Sequence, residues 1–239
     1  KNNNIVEFIQ SYEEFDKYYM SNLNEFDDSI NSELHHENYY IKSYQSLILP
    51  NIYNKIDNKE FMYIQIEKLD LSKNTNLTNI GKYAFATCNI KELKLPLGIE
   101  TISCYDFEKN KIQQLDLSKC YKLKNIENFS FGSNLLVDIK FPNEIECISE
   151  NAFFYNNIEY LNFLNCKFLQ KIKRNAFSEN YLLKEIKILK NIELEYDDMY
   201  TNDVWNKFAK YYNDNKKCGG HYKYKDNKWQ WYSLEEINY

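Results

Sequence analysis

Apolar residues in this chain come in short bursts that alternate with polar ones, and the bursts recur. Pairs of the form L-x-L start at Leu47, Leu69, Leu93, Leu115, Ile139, Leu161 and Ile186, at spacings of 22, 24, 22, 24, 22 and 25 residues. Alternation over so few residues predicts short strands, with Leu turned inward and the x residues outward. Behind each strand, Ile56, Ile80, Ile102, Ile126, Ile148 and Ile172 are each followed five residues later by Phe61, Phe85, Phe107, Phe131, Phe153 and Phe177. The three prolines, Pro50, Pro96 and Pro142, stand 46 residues apart. Odd coils carry the proline. Even coils carry two extra residues in the same turn, where an insertion costs little.

A fixed period of this kind means a stack of coils, because one coil cannot bury its own apolar face. The strands predict a parallel sheet of about seven members. The Ile-x-x-x-Ala-Phe piece, as in Ile80 to Phe85, is expected to return along the opposite face as a short helical turn. Asn110, Asn134, Asn156 and Asn180 lie three residues past a Phe, with Cys88 in the same slot. An inward Asn there can hydrogen-bond the turn backbone of the next coil and satisfy groups that winding would bury.

Three segments are expected. Residues 1–45 read as an N-terminal helical cap, since Ile5, Phe8, Ile9, Tyr12, Phe15, Tyr19 and Leu23 recur at helical steps, with Phe26, Ile30 and Leu34 as further contacts. Residues 46–195 form the array. Residues 196–239 read as a C-terminal cap: a helix over Met199 to Asn213 with Thr201 or Asn202 as N-cap, then a hairpin of His221 to Tyr224 and Trp229 to Tyr232.

The run Leu77 to Cys88, LTNIGKYAFATC, resembles the BspA-like leucine-rich repeats of bacterial and protist surface proteins, and the resemblance spans about residues 45–194. It implies an α/β repeat solenoid, a right-handed superhelix whose concave face is the parallel sheet and whose convex face carries short helical turns. It also implies a binding role, commonly at a cell surface. Ser103, Glu127, Ser149 and Lys173 replace Gly81, and Asp106 and Ser130 replace Ala84; these departures touch the convex turns only. The tail from Trp205 through Asn215 to Tyr224 is similar to tails of bacterial leucine-rich-repeat lipoproteins.

Composition narrows the function. Net charge is −5 with both signs interspersed, which argues against nucleic acid or an anionic membrane as partner. With 22 Tyr and 15 Phe the chain can bury a core despite a mean hydropathy of −0.68. No apolar run reaches membrane-spanning length. The chain starts at Lys1 without Met, as in a trimmed product, with any signal peptide or lipid anchor upstream. The six cysteines form no C-x-x-C pair. Cys120 and Cys166 share a phase but lie two coils apart, about 9–10 Å at the spacing of stacked strands, too far for a disulfide. Free thiols are expected.

No catalytic or metal constellation stands out. His35 and His36 lie in the acidic N-terminal segment, and Cys218 with His221 reads as part of a turn rather than a nucleophile pair. No cofactor is expected. The informative residues are the outward ones on the strands. Asp70, Lys94, Asp116 and Lys140 alternate in sign along the sheet, and Lys68 faces Glu92 similarly. Further on, Tyr160, Asn162 and Leu164 adjoin Lys187 and Leu189, where an aromatic beside apolar residues suits a partner contact. The candidate face is therefore Glu92, Lys94, Asp116, Lys140, Tyr160, Asn162, Leu164 and Lys187. The expectation is a non-enzymatic module, extracellular or at the cell surface, binding a protein or glycan in adhesion or partner interaction. The alternative is an intracellular scaffold, and coverage of the Tyr160–Leu189 region by the C-terminal cap stays open.

Overall fold

A computed structural model of the chain describes residues 5–7, 43–199 and 202–234. The chain winds into a parallel-strand solenoid that makes about six turns and carries a single α-helix among the described residues. Each coil contributes one strand to a first face and one two-residue strand to a second. On the first face lie β1 (Ile5–Glu7), β2 (Ser43–Ile48), β4 (Gln65–Asp70), β6 (Glu92–Lys94), β8 (Gln114–Asp116), β10 (Asp138–Lys140), β12 (Tyr160–Asn162) and β14 (Glu185–Ile188). On the second lie β3 (Lys55–Ile56), β5 (Asn79–Ile80), β7 (Thr101–Ile102), β9 (Asn125–Ile126), β11 (Cys147–Ile148), β13 (Lys171–Ile172) and β15 (Glu193–Leu194). The chain ends in α1 (Val204–Asp214) and a hairpin of β16 (Gly220–Lys225) and β17 (Lys228–Tyr232).

The second face is one continuous seven-stranded sheet. The first face is not the unbroken sheet the repeat predicts. It falls into three hydrogen-bonded blocks: β1-β2-β4-β6, β8-β10 and β12-β14-β16-β17. In each block an even coil pairs with the odd coil after it: Leu71, Leu117 and Phe163 donate their N–H to Lys94, Lys140 and Lys187 at 2.8 Å. The blocks end at the proline-type strands β6 and β10. Proline is not the cause of these breaks: β2 also precedes a proline, Pro50, yet pairs with β4, and the ladder position of Leu71 and Leu117 falls on Leu95 and Phe141, one residue before Pro96 and Pro142.

The core is a set of columns. The six Ile residues from Ile56 to Ile172 are buried. The Phe residues stack ring on ring: Phe61–Phe85, Phe85–Phe107, Phe107–Phe131, Phe131–Phe153 and Phe153–Phe177 have centroids 5.2–5.6 Å apart and planes within 9°. Such pairs stabilise by about 0.5–1.5 kcal/mol beyond the area they bury.

The return arm is not the expected helical turn. A helix satisfies its N–H groups within its own turns, whereas here they alternate: Ala84 and Ala86 bond within the turn, to Gly81 O at 3.1 Å and Tyr83 O at 3.2 Å, and the residues alternating with them reach across coils. Phe85 donates to Asp106 O at 2.9 Å, Phe107 to Ser130 O at 2.8 Å and Phe131 to Ala152 O at 2.9 Å. Left-handed residues punctuate the arm, among them Tyr83, Tyr105, Phe129, Asn151 and Asn175, with φ of 55–64°. Tyr83, Tyr105 and Phe129 are bulky for that region, and they stack on one another at 4.6 and 5.0 Å.

The asparagine column bonds backward, to the preceding coil, and within its own turn, rather than to the next coil. Asn134 accepts from Ile112 N at 3.1 Å and donates to Phe107 O at 2.8 Å and Phe131 O at 3.2 Å. Asn110, Asn156 and Asn180 repeat the pattern. Cys88 supplies only the donor, from Sγ to Phe61 O at 2.9 Å.

At the N-terminal end, Ile5–Glu7 pairs in parallel with β2 as a strand, where a helix was expected; the rest of that expected helix and His35 and His36 lie outside the described residues. At the other end the helix begins later than expected, with Asp203 as N-cap accepting from Asn206 N at 2.9 Å. Trp205 closes the Phe column against Phe177 at 4.9 Å. Tyr212 Oη accepts from Ile192 N at 3.1 Å and donates to Leu189 O at 2.9 Å, and Asn213 donates to Leu194 O at 2.9 Å. The last coil's open backbone groups are thereby satisfied by the helix. All six cysteines are free: Cys88, Cys120 and Cys166 buried, Cys104 and Cys147 half-buried, Cys218 exposed.

Candidate partner-binding face

The strands β2 to β14 turn Leu and Ile inward and a polar row outward, and most of that row is engaged in holding the coils. Glu92 lies 2.7 Å from Lys68, Lys94 3.4 Å from Asp70, and Lys140 3.5 Å from Asp116. The ion pairs fall inside the hydrogen-bonded blocks, so the alternating charges form separate couples. The aspartates have a second task. Asp70 and Asp116 accept from the amides of Ser72 and Ser118 at 3.0 Å, closing the turn after each even strand. Asn162 does the same for Leu164 N at 3.1 Å. Burial is the largest single influence on Asp116 and opposes its ionisation, but the Ser118 hydroxyl and amide and the Lys140 ammonium together hold its carboxyl below the usual range.

The C-terminal part of the face differs. The hairpin does not cover the strands; it continues them. β16 pairs antiparallel with β14, and β17 with β16. Register then sets two outward rows across four strands. Tyr160, Glu185, Lys223 and Gln230 form one, and Asn162, Lys187, His221 and Tyr232 the other. Tyr160 stays 46% exposed, with Lys184 Nζ 4.8 Å over its ring. Lys184 is itself 2.6 Å from Glu159. Lys223 lies over the Tyr232 ring at 5.6 Å. His221 sits at the centre, 4% exposed, with Nε2 2.7 Å from Glu185 Oε1. Burial lowers its pKa, Lys187 and Lys223 lower it further, and Glu185 opposes them.

Of the eight residues singled out from sequence, the structure groups Tyr160, Asn162 and Lys187 on this rectangle. Leu164 is half-buried in the adjoining turn. Leu189 packs against the core rather than facing out. Glu92, Lys94, Asp116 and Lys140 lie on the two earlier blocks. Sequence reasoning missed Lys223, Gln230 and Tyr232. Their alternation inside the hairpin marked them as outward residues, but nothing in the chain said which strand the hairpin would join. In the sequence His221 reads as part of a turn with Cys218; the structure sets it against Glu185 instead. Among the described residues, no His, Cys, Asp or Glu grouping could hold a metal ion, and no helix is long and apolar enough to cross a membrane.

The chain matches the BspA type leucine rich repeat region in six copies, over residues 29–131, 54–184 and 100–208. Among crystal structures it is similar to a leucine rich cell surface protein from Faecalibacterium prausnitzii, at 17% identity and a TM-score of 0.50, covering 64% of this chain and 41% of that one. A leucine-rich repeat protein from Bacteroides ovatus aligns at 18% identity and a TM-score of 0.37, over 66% of this chain and 52% of that one. The chain therefore spans about half the length, or less, of these two proteins. A comparison with curated proteins gives no match. Identities this low speak to fold alone, but the repeat match runs over most of the chain. The chain belongs to the BspA-type leucine-rich-repeat family.

Proposed function

We propose that the chain is a non-enzymatic binding module of a cell-surface or secreted protein. It takes a protein partner on the outward face of the strands, centred on Tyr160 and Lys187 and extended over Lys223, Gln230 and Tyr232. The observation that carries this reading is the register of β12-β14-β16-β17, which gathers two tyrosines and two lysines, Tyr160, Tyr232, Lys187 and Lys223, onto one surface. Exposed tyrosines beside cations are what partner hot spots are made of. The outward Glu92, Lys94, Asp116 and Lys140 of the N-terminal blocks are less suited, because they bring no aromatic beside the charges.

The test places a photo-crosslinking residue at position 160 and, in a second variant, at position 94. Both are exposed to a surface-protein extract of the source organism. The reading expects a discrete adduct from position 160, lost when Lys187→Glu is added, and none from position 94. Adducts of equal yield at both positions, or none at 160, would place the partner site elsewhere. Antibody labelling of intact cells tests location. The six unbridged cysteines favour a second reading, an intracellular scaffold, since thiols persist in reducing compartments. Labelling only after permeabilisation would establish it.

A further inference from the structure

β17 is the last strand of its sheet among the described residues, and it is regular: its five pairs with β16 run without a bulge from Lys225↔Lys228 to His221↔Tyr232. The direction of its backbone groups can be derived. Tyr224 donates its N–H to Lys184 O at 2.8 Å, so Tyr222 and Tyr224 bond towards β14. Alternation in an antiparallel ladder then directs His221, Lys223 and Lys225 towards β17. Their partners Tyr232, Gln230 and Lys228 bond back. Trp229 and Trp231 are left with N–H and C=O turned to the open edge.

The two sides of that edge differ in chemistry. On the core side Trp231 is 44% exposed, its indole laid over Gly220 with Nε1 donating to Gly219 O at 3.2 Å. A methyl group at Gly220 would lie 2.1 Å from that Nε1, so glycine makes room for the indole. On the solvent side stand Lys225 and Lys228, both exposed and without an ion pair among the described residues, while the chain as a whole carries −5. Lysines on an edge discourage indiscriminate pairing of strands. They do not discourage a strand of opposite charge.

We infer that the β17 edge accepts an extended segment of a partner protein as a fifth strand. That segment sets an acidic residue against Lys228, with Lys225 directly behind it on β16, and an apolar residue against Trp231. Main-chain bonds to Trp229 and Trp231 supply affinity, and the alternating side chains supply selectivity. This site rests on the sheet edge and not on the strand face around Tyr160, so either can fail without the other.

The test is amide exchange by NMR on the intact chain with two blocked hexapeptides, one alternating Glu and Val, the other Lys and Val. With the acidic peptide at ten times its Kd, exchange at the Trp229 and Trp231 amides should slow by about tenfold, and amides of β4 should not change. Lys228→Glu should transfer the protection to the basic peptide. No protection at these two amides, or equal protection by both peptides in the wild type, would overturn the inference. So would concentration-dependent protection without peptide in a sample that sediments as a dimer, which would make the occupant a second copy.

Discussion

His221 and Glu185 meet across the antiparallel pair that joins the terminal hairpin to the last coil, with Nε2 2.7 Å from Oε1. Lys187 lies opposite His221 on β14, Lys223 follows on β16, and the Tyr232 ring closes the site from β17 at 6.1 Å. Burial, then the two lysines, depress the imidazole's pKa against the pull of Glu185. The folded state thus binds this proton less readily than the unfolded chain, whose histidine titrates near ~6.5. The stability contributed by neutral His221 is present above that value and is lost as pH falls through it. Thermal unfolding at several pH values should show the wild type losing Tm relative to His221→Gln as pH drops from about 7 to about 5. A difference that does not vary with pH would mean that the imidazole does not titrate in this window.

Asp106 is the buried acid of the return arm, in the slot filled by Ala84, Ser130, Ala152 and Ala176 in other coils. Its Oδ2 accepts from Ser103 N at 2.6 Å. Burial pushes its pKa well above the usual carboxylate range, although the amides of Ser103 and Ala84 work the other way. A carboxyl with a raised folded pKa favours folding below its unfolded pKa of about 3.9, and that contribution is lost as pH rises through the folded value. Asp106→Ala should therefore gain on the wild type, in urea midpoint, as pH rises above about 4. If the gap between the two stays constant, Asp106 is not carrying a displaced titration.

The asparagine column offers a stability test. Asn134→Ala leaves Ile112 N and Phe107 O buried without their side-chain partner. The cost should be about 2–5 kcal/mol in chemical denaturation, since each orphaned group costs roughly 1–3. Asn134→Cys, which copies the donor arrangement of Cys88, should cost less. Equal costs would show that the bond to Phe107 O contributes little.

Asp116 and Lys140 separate turn closure from ion pairing. Asp116→Ala removes both the bonds from Ser118 and the 3.5 Å contact with Lys140. Lys140→Ala removes only the contact. The first should cost about 1–2 kcal/mol and the second less than about 1. High salt should narrow the effect of the lysine change and leave most of the aspartate's. Equal losses would assign the aspartate to the charge pair alone.

Much of the fold is legible in the chain because its period is covalent. The spacing of Leu, Ile and Phe sets which side chains stack, and a coil has no other way to bury them. The prolines at 50, 96 and 142 mark the double unit. The return arm was misread because Ile-x-x-x-Ala-Phe has helical spacing. Hydrogen bonding between coils outweighed that local preference and drew Tyr83, Tyr105 and Phe129 into left-handed turns.

The sequence by itself determined the solenoid, its core columns and the outward row of each strand, since all of these repeat at fixed intervals along the chain. Tertiary structure alone decided what that row does. Which charges pair between coils, and that Asp116 closes a turn, depend on distances across coils. That the hairpin extends β14 and brings Lys223 and Tyr232 beside Tyr160 depends on one antiparallel docking. It happens once, between residues such as Glu185 and Lys223 that are distant in the chain, and leaves no period in the sequence to read.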